Sequence, residues 1–208
     1  LIIPPQKTNN NMKYTTTQVK GLMVMLCAIL LSANSFGQLR ISQVYGGGGN
    51  SGAPYTRDFV ELFNAGSSPI VASNYSIQYA SATGSSWTVQ SFSATIPAGG
   101  YFLIALAVGA GAGVALPTPD ISGSIAMSGT AGKVALSNSN VALTGTCPTV
   151  TVIDFVGFGS TANCFEGAGP TPAPSNSLSV SRGSGGCLDA GNNNSDFTSG
   201  APNPRNSA

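Results

Sequence analysis

Short runs of β-branched and aromatic residues, separated by clusters of Gly, Ser, Asn and Pro, fill this 208-residue chain from about residue 39 onward. Outside the apolar stretch 21–31, almost no segment repeats with the 3.6-residue period of a helix. Such a chain cannot bury a helical stripe; it can bury the faces of short strands packed as a sandwich or barrel. Its 27 glycines and 13 prolines fall largely between the runs, where they supply turns. The expectation is therefore an all-β domain, with strands near 39–45, 57–64, 75–80, 86–92, 100–107, 132–137, 151–158 and 177–182.

Alternation within a run assigns faces, because successive side chains on a strand point to opposite sides. In the first run Leu39, Ile41 and Gln43 fall on one side, and Arg40, Ser42 and Val44 on the other. In 57–64, Val60 and Leu62 share one face while Phe59, Glu61 and Phe63 share the opposite one. Two aromatics beside a carboxylate predict that this second face is partly covered as well. Ile96-Pro97-Ala98-Gly99 fits a turn with Pro second and Gly fourth. It leads into Tyr101–Leu106, the run expected to be buried on both faces. Gly109, Gly111 and Gly113 then break the chain into a loop, Gly157 and Gly159 mark a bend, and the Pro-rich stretch 167–174 reads as an extended edge. The tail 201–208 has no strand pattern.

The amino-terminal part reads as targeting rather than fold. The first Met is Met12, so 1–11 is read as upstream translation. Lys13 and Lys20 precede the eleven apolar residues 21–31, and Ser35-Phe36-Gly37 places small residues at a cleavage site. A cleaved signal peptide over 12–37 and a single domain over 38–208 follow as expectations, with a secreted or cell-surface destination. The apolar run is shorter than the roughly 20 residues a membrane helix needs, so the chain is not expected to be an integral membrane protein. Residues 38–208 carry five basic and seven acidic side chains, a net −2. So few charges cannot form the cationic stripe that draws proteins to a phosphate backbone.

Three cysteines, Cys147, Cys164 and Cys187, remain after the leader, so one disulfide and one thiol can form in three pairings. Cys147–Cys164 is favoured because the two flank one strand-like segment. Closing a loop of about 15 residues contributes ~3 kcal/mol in the chain-entropy description. A zinc site lacks any CxxC, and the chain has no His at all. Without His, neither a Ser–His–Asp triad nor a Cys–His pair can be assembled from it. The predicted reading is accordingly non-catalytic.

Three constellations invite chemistry. Gly47, Gly49 and Gly52 match GxGxxG, but Ala53-Pro54-Tyr55 follows instead of the helix that would hold an anion. A mobile link between strands is the expected role. Asp58 and Glu61 stand three apart and so point to opposite faces of a strand. Asp58 is read as an acceptor for turn N–H groups, and Glu61 as the partner of an Arg or Tyr. Asp189, Asn192, Asn193, Asn194 and Asp196 crowd oxygens into eight residues. Asp189, Asn193 and Asp196 are the candidate ligands for Ca²⁺, which takes six to eight oxygens; a polar turn is the alternative. Trp87 and Tyr79 are candidate contact residues or, alternatively, core.

Ordered segments of the chain resemble the lamin-tail domain, an immunoglobulin-like β-sandwich, in the form found at the front of secreted bacterial nucleases. They are 41–52, 58–64, 78–84 with Trp87, 116–120, 129–136 around Lys133, 154–157, Cys164-Phe165-Glu166-Gly167 and 202–208. Two departures stand out. Asn74-Tyr75 replaces the usual Gly-Trp, and Gly191 stands where the family often carries another acid. The resemblance implies a binding or targeting module for a surface polymer or protein, monomeric and without a required cofactor. An alternative is the front piece of a secreted nuclease, through which alone nucleic acid would be met. A third is a Ca²⁺-dependent adhesive domain.

Overall fold

The structure, a computed structural model, describes residues 38–111 and 113–208. The expected leader 12–37, with Cys27, and the segment 1–11 lie outside the described residues. Among those described, ten strands form two sheets: β1 Leu39–Tyr45, β2 Arg57–Asn64, β3 Ile70–Ser81, β4 Thr88–Ile96, β5 Tyr101–Val108, β6 Ile121–Ser122, β7 Gly132–Ser137, β8 Val152–Phe158, β9 Ser179–Arg182 and β10 Phe197–Gly200. The larger sheet has the order β10-β9-β1-β2-β5-β6 and the smaller β4-β3-β7-β8. All pairings are antiparallel except β5 with the two-residue β6. This is an immunoglobulin-like β-sandwich. No described helix is long and apolar enough to cross a membrane.

The core lies between the sheets. Ile41, Val44, Val60, Leu62 and Ile104 from one meet Ile77, Phe92, Val134, Leu136 and Val156 from the other. Val44 corrects the expected alternation. The β1–β2 register shifts between Ile41 and Gln43, and the extra residue of that bulge returns Val44 to the face of Leu39 and Ile41. The β3–β4 hairpin also exceeds its expected length, running 70–81 and 88–96. Its pairing resumes beyond a second bulge between Ala72 and Tyr75, where Ile70, Val71 and Ala72 face Ile96, Thr95 and Ala94. Asn74 sits there at φ 60°, a conformation suited to Gly or Asn. The turn into β5 closes one residue later than expected, with Gly100 N–H donating to Pro97 C=O at 3.0 Å and Gly99 at φ 68°.

The Gly-rich connection 46–52 is not a loose link. Gly46, Gly47, Gly48 and Gly49 are buried. A Cβ on Gly46 would stand 2.2 Å from Ser128 O, and one on Gly48 2.0 Å from the Arg57 carbonyl carbon. The glycines are needed here for close backbone approach. Asp58 fastens the packing: Oδ1 accepts from Gly48 N–H and Oδ2 from Met127 N–H, both at 2.9 Å. Burial pushes its carboxyl up to about 6, with those two hydrogen bonds pulling the other way.

Gly48→Ala should lower the unfolding free energy by roughly 2 kcal/mol or more, the cost of overpacking against rigid backbone. Urea unfolding would read this as a lower midpoint at unchanged slope; an unmoved midpoint would show that the loop gives way.

Candidate binding surface around the disulfide

Alternation on β3 and β7 turns Ile77, Val134 and Leu136 into the core and sends Ser76, Gln78, Ala80, Lys133, Ala135 and Ser137 to the outer face of the smaller sheet. An outer face this polar would ordinarily meet water. Here Ser76, Gln78, Lys133 and Ser137 are fully buried, because residues 138–151 fold back across them. The covering loop has no regular structure, so its backbone groups need partners, and the buried side chains provide them. Ser76 Oγ donates to Ser139 C=O at 2.6 Å. Gln78 donates to Val141 C=O at 3.0 Å and accepts from Leu143 N–H at 2.8 Å. Trp87 Nε1 donates to Gly145 C=O at 2.9 Å.

Lys133 closes this system. Its Nζ donates to Gly84 C=O at 2.7 Å, and to Thr146 C=O and Asn163 Oδ1 at 2.8 Å. Three acceptors satisfy the three donors of an ammonium, and none is a carboxylate. Desolvation accordingly holds its pKa below the usual lysine value. The charge lies 5.6 Å from the centre of the Trp87 ring, within reach of a cation–π attraction. Below the loop, Ala80, Trp87, Ala135, Leu143, Phe155 and Cys164 form a second apolar cluster, with Trp87 edge-on to Phe155 at 5.8 Å. Cys147 is bonded to Cys164, the pairing favoured from the sequence, while Cys187 is an exposed thiol.

The loop is thus gripped along its length, and it presents apolar side chains outward. Val141 is 71% exposed and Val150 78%. Between the arms of the loop lies a groove of about 450 Å³, lined by both valines, Leu143 and Pro148. Across the ridge Cys147-Pro148-Thr149 is a cleft of about 250 Å³, lined by Val152, Ile153, Phe155, Phe165 and Glu166. Burial pushes the Glu166 carboxyl up to about 8; Asp154 adds to the rise, and Arg182 opposes it.

The oxygens expected as a Ca²⁺ site have other partners. Arg182 donates to Asp154 at 2.8 and 2.9 Å and to Asp189 at 3.2 Å, and it lies 3.7 Å from Asp196. Asp196 Oδ2 also accepts from Ala190 and Asn192 N–H. Asn193 turns away from this group: its Oδ1 accepts from Gly157 N–H at 2.8 Å, and its Nδ2 donates to Phe155 C=O at 2.9 Å. A guanidinium therefore occupies the place between Asp189 and Asp196, and Asn193 is spent on the edge of β8. Among the described residues no group of three or more His, Cys, Asp or Glu is arranged to hold a metal.

Glu61 takes Arg205 as its partner at 2.7 Å, and Trp87 and Tyr79 both serve the core, with Tyr79 Oη accepting from Ser128 N–H at 3.1 Å. Nothing in the local pattern singles out the exposed valines of 138–151. The one signal for them is Cys147, inside a Ser/Asn/Thr-rich stretch that its pairing brings close to Cys164.

A family model described as Lamin Tail Domain matches residues 32–160. No curated protein matches the chain. The matched span includes β1 to β8 and the whole 138–151 loop.

Lys133→Met should destabilise the protein by roughly 1–3 kcal/mol, because it removes the donor shared by three part-buried oxygens. Chemical denaturation measures this, and unchanged stability would show that the loop holds without the ammonium. Millimolar calcium should leave the melting temperature unchanged. A calcium-dependent rise that disappears in Asp189→Ala would reinstate the cation site.

Proposed function

The chain belongs to the lamin tail domain family, and from that premise we propose that it serves as an exported, non-catalytic binding module whose contact surface is the loop 138–151. A scaffold that fixes one irregular loop with four buried polar side chains and a disulfide keeps that loop in a single shape. Loops held in this way on a rigid sandwich are where binding residues concentrate. The observation that carries the reading is the pairing of restraint and display: the backbone of 139–146 is gripped from below while Val141 and Val150 face outward beside two clefts. Rigid apolar contacts lose little entropy on binding, which favours their use as anchors.

The absence of His from the sequence supports leaving catalysis out of this role. The leader-like segment 12–37 supports export. The low charge of residues 38–208 favours a protein or a neutral surface polymer over nucleic acid.

The purified protein should be retained on envelope proteins or extracellular polysaccharide and not on DNA. A Val141→Asp/Val150→Asp variant should lose that retention at an unchanged melting temperature, since both positions are exposed. Equal retention by the two proteins would move the contact surface elsewhere, and retention on DNA alone would overturn the choice of partner.

A further inference from the structure

We propose that the cleft across the ridge Cys147-Pro148-Thr149 receives a lysine or arginine side chain of a bound protein, its aliphatic stem against Val152, Phe155 and Phe165 and its cationic head at Glu166. This rests on the reading of 138–151 as the contact loop, because the cleft opens on the far side of the same ridge.

The composition of the cleft selects the ligand. Its walls are the Cys147–Cys164 disulfide, Pro148, Val152, Ile153 and two phenylalanines, and Glu166 is the one ionisable group among the residues that line it. A wholly apolar occupant would desolvate that carboxyl further, holding it neutral and leaving its remaining hydrogen-bonding capacity unmet. A divalent cation would need several oxygens, and the lining offers one carboxylate. A methylene stem ending in a positive charge matches both parts, as long basic side chains lay their stems along apolar surface and place the head at a polar group.

The surroundings of Glu166 favour a positive charge. Its N–H donates to Asn193 Oδ1 at 3.2 Å, and its Oε2 accepts from Asn193 Nδ2 at 3.3 Å. Asp154 on β8 and Asp189 and Asp196 on the segment before β10 lie behind it. Arg182 on β9 is shared among all three of those acids, and Arg40 on β1 pairs with Asp189 at 3.3 Å. Four carboxyl groups thus face two guanidinium groups. An incoming ammonium narrows that deficit of positive charge and draws a proton off Glu166, whose carboxyl stands at about 8 in the free protein.

The sign follows from that exchange. The cation favours ionised Glu166, so affinity should rise with pH through about 8 while the probe amine stays charged. The test is an NMR titration of the whole protein with Nα-acetyl-lysine methylamide, alongside the uncharged Nα-acetyl-norleucine methylamide. The lysine probe should shift the amides of 147–155 and 164–166 and bind about tenfold more tightly than the norleucine probe, the fold-change expected of one charge-assisted hydrogen bond. Glu166→Gln should abolish the difference. Equal affinity for the two probes, or an affinity that ignores pH, overturns the proposal in the wild-type protein without recourse to a variant. If the lysine probe fails while the double valine variant still loses retention, the cleft assignment falls and the contact loop stands.

Discussion

A lysine ammonium buried among uncharged oxygens sets the terms for one whole side of this sandwich. Lys133 could not enter the interior bare. Its three donors bring together Gly84 from the β3–β4 hairpin, Thr146 from the 138–151 loop and Asn163 from the segment after β8. These segments are distant in sequence and share only sparse backbone pairing, the bridge of Ser86 with Thr144 and the bonds from Gly145 N–H to Ser85 C=O and from Asn163 N–H to Ala82 C=O. The ammonium aligns them, and the disulfide from Cys147 to Cys164 makes the covalent version of the same connection. The order that results lies at the surface, where Val141 and Val150 are displayed, and that is how a scaffolding interaction shapes the surface proposed as the contact.

The outer face of the larger sheet is handled in the same manner. Glu61 is fully buried there, accepting from Ser42 Oγ at 2.6 Å and pairing with Arg205. Arg205 also donates to Tyr101 Oη at 2.6 Å and lies 3.7 Å from the centre of that ring. Gln43 exchanges two hydrogen bonds with Asn203. The tail 201–208, which carries no strand pattern, thereby becomes a cover held by side chains. Between the sheets, Arg182 binds Asp154 and the backbone carbonyl of Ile41, so β1, β8 and β9 meet at one guanidinium. Removing one partner from such a pair leaves a buried charge uncompensated, which costs more than the pair itself contributes.

Much of the architecture is legible in the residue pattern. β1, β2 and β7 fall on their expected residues, because β-branched and aromatic runs bounded by turn residues signal a strand locally. The roles of Asp58 and Glu61 follow from their three-residue spacing, which sends them to opposite faces. The misses share one cause. The bulge that returns Val44 to the core, the extension of the β3–β4 hairpin beyond its own bulge and the short strands β6 and β10 are all set by pairing with other segments, which leaves little trace in local pattern. The Asp/Asn cluster is open to two readings in the sequence for a related reason. Its oxygen-rich spacing does not reveal that Arg182, held on β9 by pairing with β1 and β10, stands among those carboxylates.

The sequence alone determined that the chain makes strands, that it carries the lamin-tail pattern, and that it lacks the imidazole most hydrolytic chemistry relies on. Those properties depend on residue type and short-range order, which are fixed along the chain. Only the tertiary structure decided which face each sheet hides, which loop is clamped rigid and where a lone carboxylate meets an apolar cleft. Such features arise when segments far apart in sequence satisfy one another's buried polar groups, and that requirement acts only once the two sheets have closed.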